Sequence, residues 1–203
     1  AEIHERGIQI PFYCIGRPES LTPEMVADLR NAGLYRMYLS AESGAQHVLD
    51  AMKKGSSVSD ILRGARLLHA HGVEVGVFVM IGYPGERRVD IDRTIAMLHE
   101  VGAEVNLISV AHPMKGTSFY TDVEERILRP PGWEQRNGGR LAFEMDYGHC
   151  FYELAQRTMW AELELVNQLR NSPWSLGMAK QLSKVPLYRS GMRLLSWTNR
   201  RYT

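Results

Sequence analysis

Apolar residues recur along the first 120 positions in two alternating rhythms. In "SLTPEMVADLRNAG", "SSVSDILRGARLLHAHG" and "DIDRTIAMLHEVG" they fall three and four residues apart, and each segment carries a Leu four residues before its final Gly. A short run rich in β-branched and other apolar residues follows each glycine. The first rhythm is that of a helix with one apolar stripe and the second that of a strand. The pattern predicts helices ending at Gly33, Gly72 and Gly102. Their core faces carry Met25, Val26 and Leu29, then Val58, Ile61, Leu62, Ala65 and Leu68, then Ile91, Ile95 and Leu98. A glycine at each end suits a left-handed closing residue. Thr22 as N-cap, Pro23 at the first helical position and Glu24 in the first turn mark the start of the first helix. Strands are predicted over residues 35–40, 73–81 and 105–110, with a fourth over 8–15 before the first helix.

Strand and helix alternating in this way imply right-handed crossovers and a parallel sheet, an α/β fold. Four strands beginning at Ile8 leave an edge that such sheets normally cover, so further strands are expected upstream. In parallel sheets the chemistry sits beyond the carboxyl ends of the strands. The four loops there read "GRPES", "SAESG", "GYPGE" and "HPMKGTSFY". They place Arg17, Glu19, Ser40, Glu42, Ser43, Glu86, His112, Lys115 and Thr117 on one rim.

Several of these residues also have a purely local reading. Glu42, helped by Ser43, can cap a helix beginning near Gln46. Glu86 can complement the dipole of the helix that follows it, as Lys53, Lys54, His69, His71 and His99 can at helix ends. His112 precedes Pro113, which favours extended backbone, and is either a strand terminator or a general acid or base. Cys14 reads as a small buried hydrophobe.

Together, "AGLYRMYLSAESGAQHVLDAMKKG", "GVEVGVFVMIGYPGE" and "HPMKGTSFY", in this order and spacing, resemble the later half of a radical S-adenosylmethionine (radical SAM) domain. They are most similar to the set that often carries an upstream cobalamin-binding domain and includes anaerobic magnesium-protoporphyrin monomethyl ester cyclases. The resemblance covers about residues 8–120. It implies a partial, TIM-like (β/α)6 barrel, with this chain supplying strands three to six over residues 1–120 and a mainly helical extension over 121–203.

The resemblance also implies a site. Ser40, Glu42 and Ser43 match a strand end that contacts the ribose or methionyl part of S-adenosylmethionine. Val79, Ile81, Gly82, Pro84 and Gly85 match a wall beside adenine. The neighbourhood of Ala111, His112 and Pro113 matches a segment reaching adenine through backbone groups, and Arg17 stands where a polar residue faces cofactor or substrate. The implied activity is reductive cleavage of S-adenosylmethionine to a 5′-deoxyadenosyl radical on a 4Fe–4S cluster. An electron donor such as a flavodoxin or ferredoxin would feed it, cobalamin is allowed, and the substrate is a small molecule or a bulky apolar one. The family's CxxxCxxC loop is absent, because the only cysteines are Cys14 and Cys150. Cluster ligation needs several thiolates at one corner, so the ligands are expected outside this chain and no residue here is assigned to a metal. The chain, which starts without Met, is read as a fragment that is inactive alone. The competing reading is a non-redox module that binds a nucleotide-like ligand or docks a partner.

After Tyr120 the alternation stops. "DVEERILRPPGWEQRNGGR" reads as a connector, on account of Pro130, Pro131, Gly138 and Gly139. "DYGHCFYELAQRTMWAELELVNQLRNSP" reads as a long helix with Phe151, Leu154, Thr158, Leu165 and Leu169 on one face and Pro173 as its stop. Phe151, Tyr152 and Trp160 suit a bulky apolar substrate and packing against the barrel equally. Composition adds that 44% of the residues are hydrophobic and 23% charged, so the chain is globular. Two cysteines fit a reducing, cytoplasmic setting. The net charge of +1 hides a tail, residues 171–203, with six basic residues and no acids, interleaved with Trp174, Tyr188, Trp197 and Tyr202. That tail either docks on its own acidic body or touches a partner, whether RNA, an acidic protein or, weakly, a membrane surface. It is not a strong nucleic-acid signature.

Overall fold

The β-rich runs that follow the helix-ending glycines do form strands, in a computed structural model that describes residues 6, 7, 10–128, 142–171 and 176–198. Strands β1 (Phe12–Gly16), β2 (Leu34–Glu42), β3 (Glu74–Ile81) and β4 (Val105–Val110) lie side by side in chain order, all parallel. Helices α1 (Pro23–Asn31), α2 (Gln46–Ala51), α3 (Val58–Ala70) and α4 (Arg88–Val101) make the crossovers. This is the expected α/β fold. Ile8 and Gln9, where the first strand was expected to begin, lie outside the described residues.

Local chemistry sets the helix limits. Thr22 accepts a hydrogen bond from the Met25 amide at 3.2 Å, and Ser57 and Asp60 cap α3 reciprocally. Gly33, Gly72 and Gly102 all have positive φ, and Gly102 closes α4 in the left-handed conformation. Met25 departs from its expected face: it is exposed, while Val26 and Leu29 point to the core. A helix nine residues long offers too narrow a stripe for all three.

Among the described residues the helices cover one face of the sheet. Met37, Leu39, Ala41, Val75, Val77, Val79 and Ile81 enter the main core with Ile61, Ala65 and Leu68 of α3 and Ile91, Ile95 and Leu98 of α4. The other face carries Tyr13, Ile15, Tyr38, Ser40, Phe78, Met80, Leu107 and Ser109. Tyr13 and Ile15 are 63% and 66% exposed. Rings join across this face, with Tyr13 and Tyr38 centroids 5.8 Å apart and Tyr38 and Phe78 5.4 Å apart. The strand period of two, on parallel strands in register, produces this aromatic floor.

The C-terminal part is helical. A short helix α5 (Ser118–Asp122) leads to a two-stranded antiparallel pair, β5 (Ile127–Leu128) with β6 (Ala142–Phe143), then to α6 (His149–Asn171) and α7 (Leu176–Thr198). Pro130, Pro131, Gly138, Gly139, Pro173, Trp174, Arg200, Arg201 and Tyr202 lie outside the described residues. Helix α6 buries Phe151, Tyr152, Ala155, Thr158 and Met159, whereas Leu169 of the expected stripe is 49% exposed. Glu162 takes up the other half of the face, binding Arg189 of α7 through two hydrogen bonds of 2.5 and 2.8 Å. Arg189 also lies 3.5 Å from Asp92 of α4, so this basic residue docks on the acidic body. Trp160 is exposed. None of the described helices is long and apolar enough to cross a membrane.

Candidate functional site

The carboxyl ends of the four strands share one rim, and its first feature is a charged cleft. Arg17, immediately after β1, Ser40 near the end of β2, and Lys53, Lys54 and Ser56 between α2 and α3 line an open cavity of about 360 Å³. Arg17 donates to the Lys54 carbonyl at 2.9 Å and pairs with Glu19, while Lys54 Nζ lies 3.0 Å from Glu42 Oε1. Lys53 makes no ion pair among the described residues and has φ of 55°. The cleft therefore holds three cations and two carboxylates in alternation. Opposite charges set side by side in this way have the chemistry to bind a zwitterion, with an anion beside the lysines and an ammonium beside Glu42.

From sequence Arg17 reads as a rim residue, whereas Lys53 and Lys54 read as helix-end charges. Nothing in their spacing shows that the chain turns through Lys53 and Gly55, both at positive φ, and brings Lys54 back over β2. Glu42 itself sits at a bulge in the pairing of β2 with β3, with φ of 55°. It does not cap α2, whose N-cap is Ala45 with no side-chain bond. The bulge turns the carboxylate toward Lys54 instead.

Ser43 occupies a different place from its neighbours. It is fully buried, its hydroxyl accepting from the Ala45 amide at 3.2 Å and lying 3.4 Å from the Thr94 hydroxyl. The Gly44 amide donates to the same Thr94 oxygen at 2.9 Å. Ser43 thus fastens the "SAESG" loop to α4 and does not open on the cleft. Val79 and Ile81 are likewise turned into the core, so they present only backbone to the open face, whose side chains at that level are Phe78 and Met80.

The second feature of the rim is the Gly82–Glu86 turn. Gly82 and Gly85 have φ of 86° and 83°, values that a residue with a Cβ reaches only with strain. The Gly82 amide donates to Glu86 Oε2 at 2.6 Å, closing the turn. Tyr83 reaches across to the α2 end, donating to the Ala51 carbonyl at 3.3 Å, which ties the turn to the segment carrying Lys53 and Lys54. Pro84 is half-buried. At the end of β4 His112 lies on the same rim, half-buried, with Nδ1 3.3 Å from the Val110 carbonyl, and Pro113 is buried beside it. The rim therefore gathers Arg17, Ser40, Glu42, Gly82, Pro84, Gly85 and His112, and adds Lys53 and Lys54.

Glu86 is the third feature. It is 1% exposed, and its role at the helix start falls instead to Asp90, which accepts from the Arg87 amide at 2.9 Å. Burial, with the charges of Asp90 and Asp146 adding to it, pushes the Glu86 carboxyl up to about 8, against the Gly82 hydrogen bond that pulls it down. Between its ordinary value near about 4.3 and pH 8, the folded chain holds a proton that the unfolded chain has released. The stability contributed by that proton is complete below the ordinary value and is lost as pH rises to about 8. Glu86→Gln is expected to remove this falling limb, so that urea midpoints measured from pH 5 to 9 decline in the parent chain and stay flatter in the variant.

Comparison with known proteins assigns the frame. Residues 1–98 match the family model described as the radical SAM superfamily. That match spans a little under half of the 203 residues. The tRNA-2-methylthio-N(6)-dimethylallyladenosine synthase of Ralstonia pickettii is 26% identical over 115 residues, covering 55% of this chain and 25% of that protein. The chain thus spans about a quarter of the length of the curated relatives it matches. Among solved structures, the cobalamin-dependent S-adenosylmethionine radical enzyme OxsB with aqua-cobalamin bound is 13% identical at a TM-score of 0.63, covering 94% of this chain and 39% of that one. The radical S-adenosylmethionine methyltransferase TsrM from Kitasatospora setae, with cobalamin and an iron–sulfur cluster bound, is 19% identical at a TM-score of 0.53, covering 61% and 24%. These likenesses show a shared fold, and the OxsB match extends it to the helical C-terminal part.

A radical SAM domain carries S-adenosylmethionine and a 4Fe–4S cluster, and the residues here fit the two unequally. The cleft and turn offer opposite charges at one end and backbone beside a glycine turn at the other, the donor set a charged amino acid joined to a nucleoside requires. The cluster does not fit: Cys14 is half-buried in β1, Cys150 is exposed in α6, and no cluster of metal-binding side chains occurs among the described residues.

Proposed function

We propose that this chain forms the S-adenosylmethionine-binding portion of a radical SAM enzyme whose cluster ligands lie in another segment of the protein. The observation that carries it is the pairing of the Arg17, Lys53, Lys54 and Glu42 cleft with the Gly82–Glu86 turn on one radical SAM rim. Lys54 and Arg17 receive the methionyl carboxylate, Glu42 and Ser40 accept from the ammonium and ribose hydroxyls, and the turn with the His112–Pro113 backbone faces adenine. Bound in such an enzyme, S-adenosylmethionine supplies a 5′-deoxyadenosyl radical by one-electron cleavage. The chain's own part is to bind, orient and shield.

The aromatic floor of Tyr13, Tyr38 and Phe78 below the rim supports a bulky apolar substrate resting on the open face, since ring faces bury large flat surfaces without charge. Cobalamin in the full protein is supported by the fold shared with OxsB and TsrM, and a flavodoxin or ferredoxin is the matching electron donor. A non-redox binding module remains the contrasting reading, and the lack of cluster donors in this chain is what favours it.

Glu42→Gln tests the assignment. It keeps the shape and removes one charge-assisted contact, so S-adenosylmethionine affinity measured calorimetrically is expected to fall about tenfold. Unchanged affinity removes Glu42 from the site.

A further inference from the structure

The Gly82–Glu86 turn is held from two sides, and only one of them belongs to the barrel. From within, Glu86 accepts from the Gly82 amide. From the C-terminal extension, Asp146 Oδ2 accepts from the Gly85 amide at 2.6 Å, and the Tyr147 hydroxyl accepts from the Arg88 amide at 3.3 Å. Asp146 is itself held by Arg126 at 3.0 Å. The Tyr152 ring lies against Gly82, where an added Cβ would stand 3.2 Å from Cε1, and Met145 lies equally near. On the far side Tyr83 stacks on Phe119 at 5.0 Å, and Phe119 meets Phe143 edge-on at 5.5 Å.

These contacts matter because the bonds within the turn, from the Gly82 amide to Glu86 and from the Glu86 amide to the Tyr83 carbonyl, do not hold the Gly85 amide. Gly82 and Gly85 adopt conformations that favour glycine, and glycine has more backbone freedom to lose on ordering than any other residue. Nothing lies within 4 Å of the Cβ position of Gly85, so packing does not confine it. Its amide is fixed by the carboxylate of Asp146. Glu86 Oε1 is buried without a hydrogen-bond partner among the described residues, and burial above all raises the Tyr152 hydroxyl, against the Tyr147 backbone that lowers it, so the tyrosine meets the turn as a neutral ring.

We infer that Asp146, with Tyr147 and Tyr152, positions the adenine-facing turn, so that the C-terminal extension is a working part of the S-adenosylmethionine site. This rests on the reading of the rim as that site. The extension lies beyond residue 98, where the family match ends, and no cofactor role attaches to it otherwise. Asp146 acts through the Gly85 amide, as a positioning residue.

The test uses the protein that contains this chain, and two readouts. Amide hydrogen exchange at Gly82 and Gly85 reports the turn by itself, and calorimetric titration with S-adenosylmethionine reports the site. Asp146→Ala is expected to speed exchange at Gly85 and weaken binding about tenfold, while exchange in α3 and the urea midpoint stay near the parent values. Asp146→Asn keeps an acceptor oxygen and is expected to restore most of both losses. Faster Gly85 exchange in Asp146→Ala with unchanged affinity overturns the inference, as does unchanged Gly85 exchange. A parent chain that binds no S-adenosylmethionine rejects the reading of the site, and the inference with it, while the exchange data still report separately whether Asp146 orders the turn.

Discussion

Lys54→Glu is expected to weaken S-adenosylmethionine binding by about 100-fold, since it replaces a charge-assisted contact by repulsion at a cost of about 3 kcal/mol. Lys54 Nζ sits 3.0 Å from Glu42 Oε1, and the Lys54 carbonyl accepts from Arg17, so the residue stands where the cations and carboxylates of the cleft alternate. A glutamate there faces Glu42 and Glu19 and leaves only Arg17 and Lys53 to meet a carboxylate. The pair is partly exposed, so it contributes little to stability, and the urea midpoint should move little. Binding measured by calorimetry at two salt concentrations checks this: the parent loses affinity as salt rises, and the variant shows a smaller dependence. Parent-like affinity in Lys54→Glu would remove the lysine segment from the site.

Gly44→Ala is expected to destabilise the fold by about 3 kcal/mol through overpacking against backbone. An added Cβ would lie 2.5 Å from the Arg93 carbonyl oxygen and 2.6 Å from the Thr94 Cα, and neither can rotate away as a side chain would. The loop would have to lift from α4, breaking the Gly44 to Thr94 and Ser43 contacts and moving Glu42. Gly72→Ala provides the comparison, because its Cβ meets nothing within 4 Å although φ is 67°. Only backbone strain acts there, about 1 kcal/mol. Urea unfolding of both variants separates the two effects, and equal losses would show that the close approach of loop and helix is wrong.

The frame of this protein was legible because its signals are local. The Leu-to-Gly spacing located three helix ends, and the β4 limits, Val105–Val110, agree with the expected strand. Burial direction was less legible. Residues 75–81 are apolar throughout, so the period of two is invisible in the sequence, and Val79 and Ile81 were expected beside adenine when their side chains lie in the core. Ser43 looked like a rim hydroxyl because its partner, Thr94, is 51 residues away. Lys53 and Lys54 entered the cleft through a loop with left-handed residues that no spacing rule anticipates. Helix α7 falls within the helical extension that the resemblance implies, but its own residues give no helical pattern, because it contains Pro186 and its apolar residues, Leu182, Leu187 and Leu194, keep to no single stripe. The hold of Asp146 on Gly85, 61 residues apart, is the same kind of long-range contact.

The account stands on S-adenosylmethionine lying across the cleft and the turn. Chemical-shift mapping of the nitrogen-labelled chain with S-adenosylmethionine tests this directly. It predicts saturable changes at the amides of Ser40, Glu42, Lys54, Gly82 and Gly85, with the α7 amides unmoved. Millimolar ligand that leaves those five amides unchanged, or that shifts only residues of α6 and α7, would contradict it.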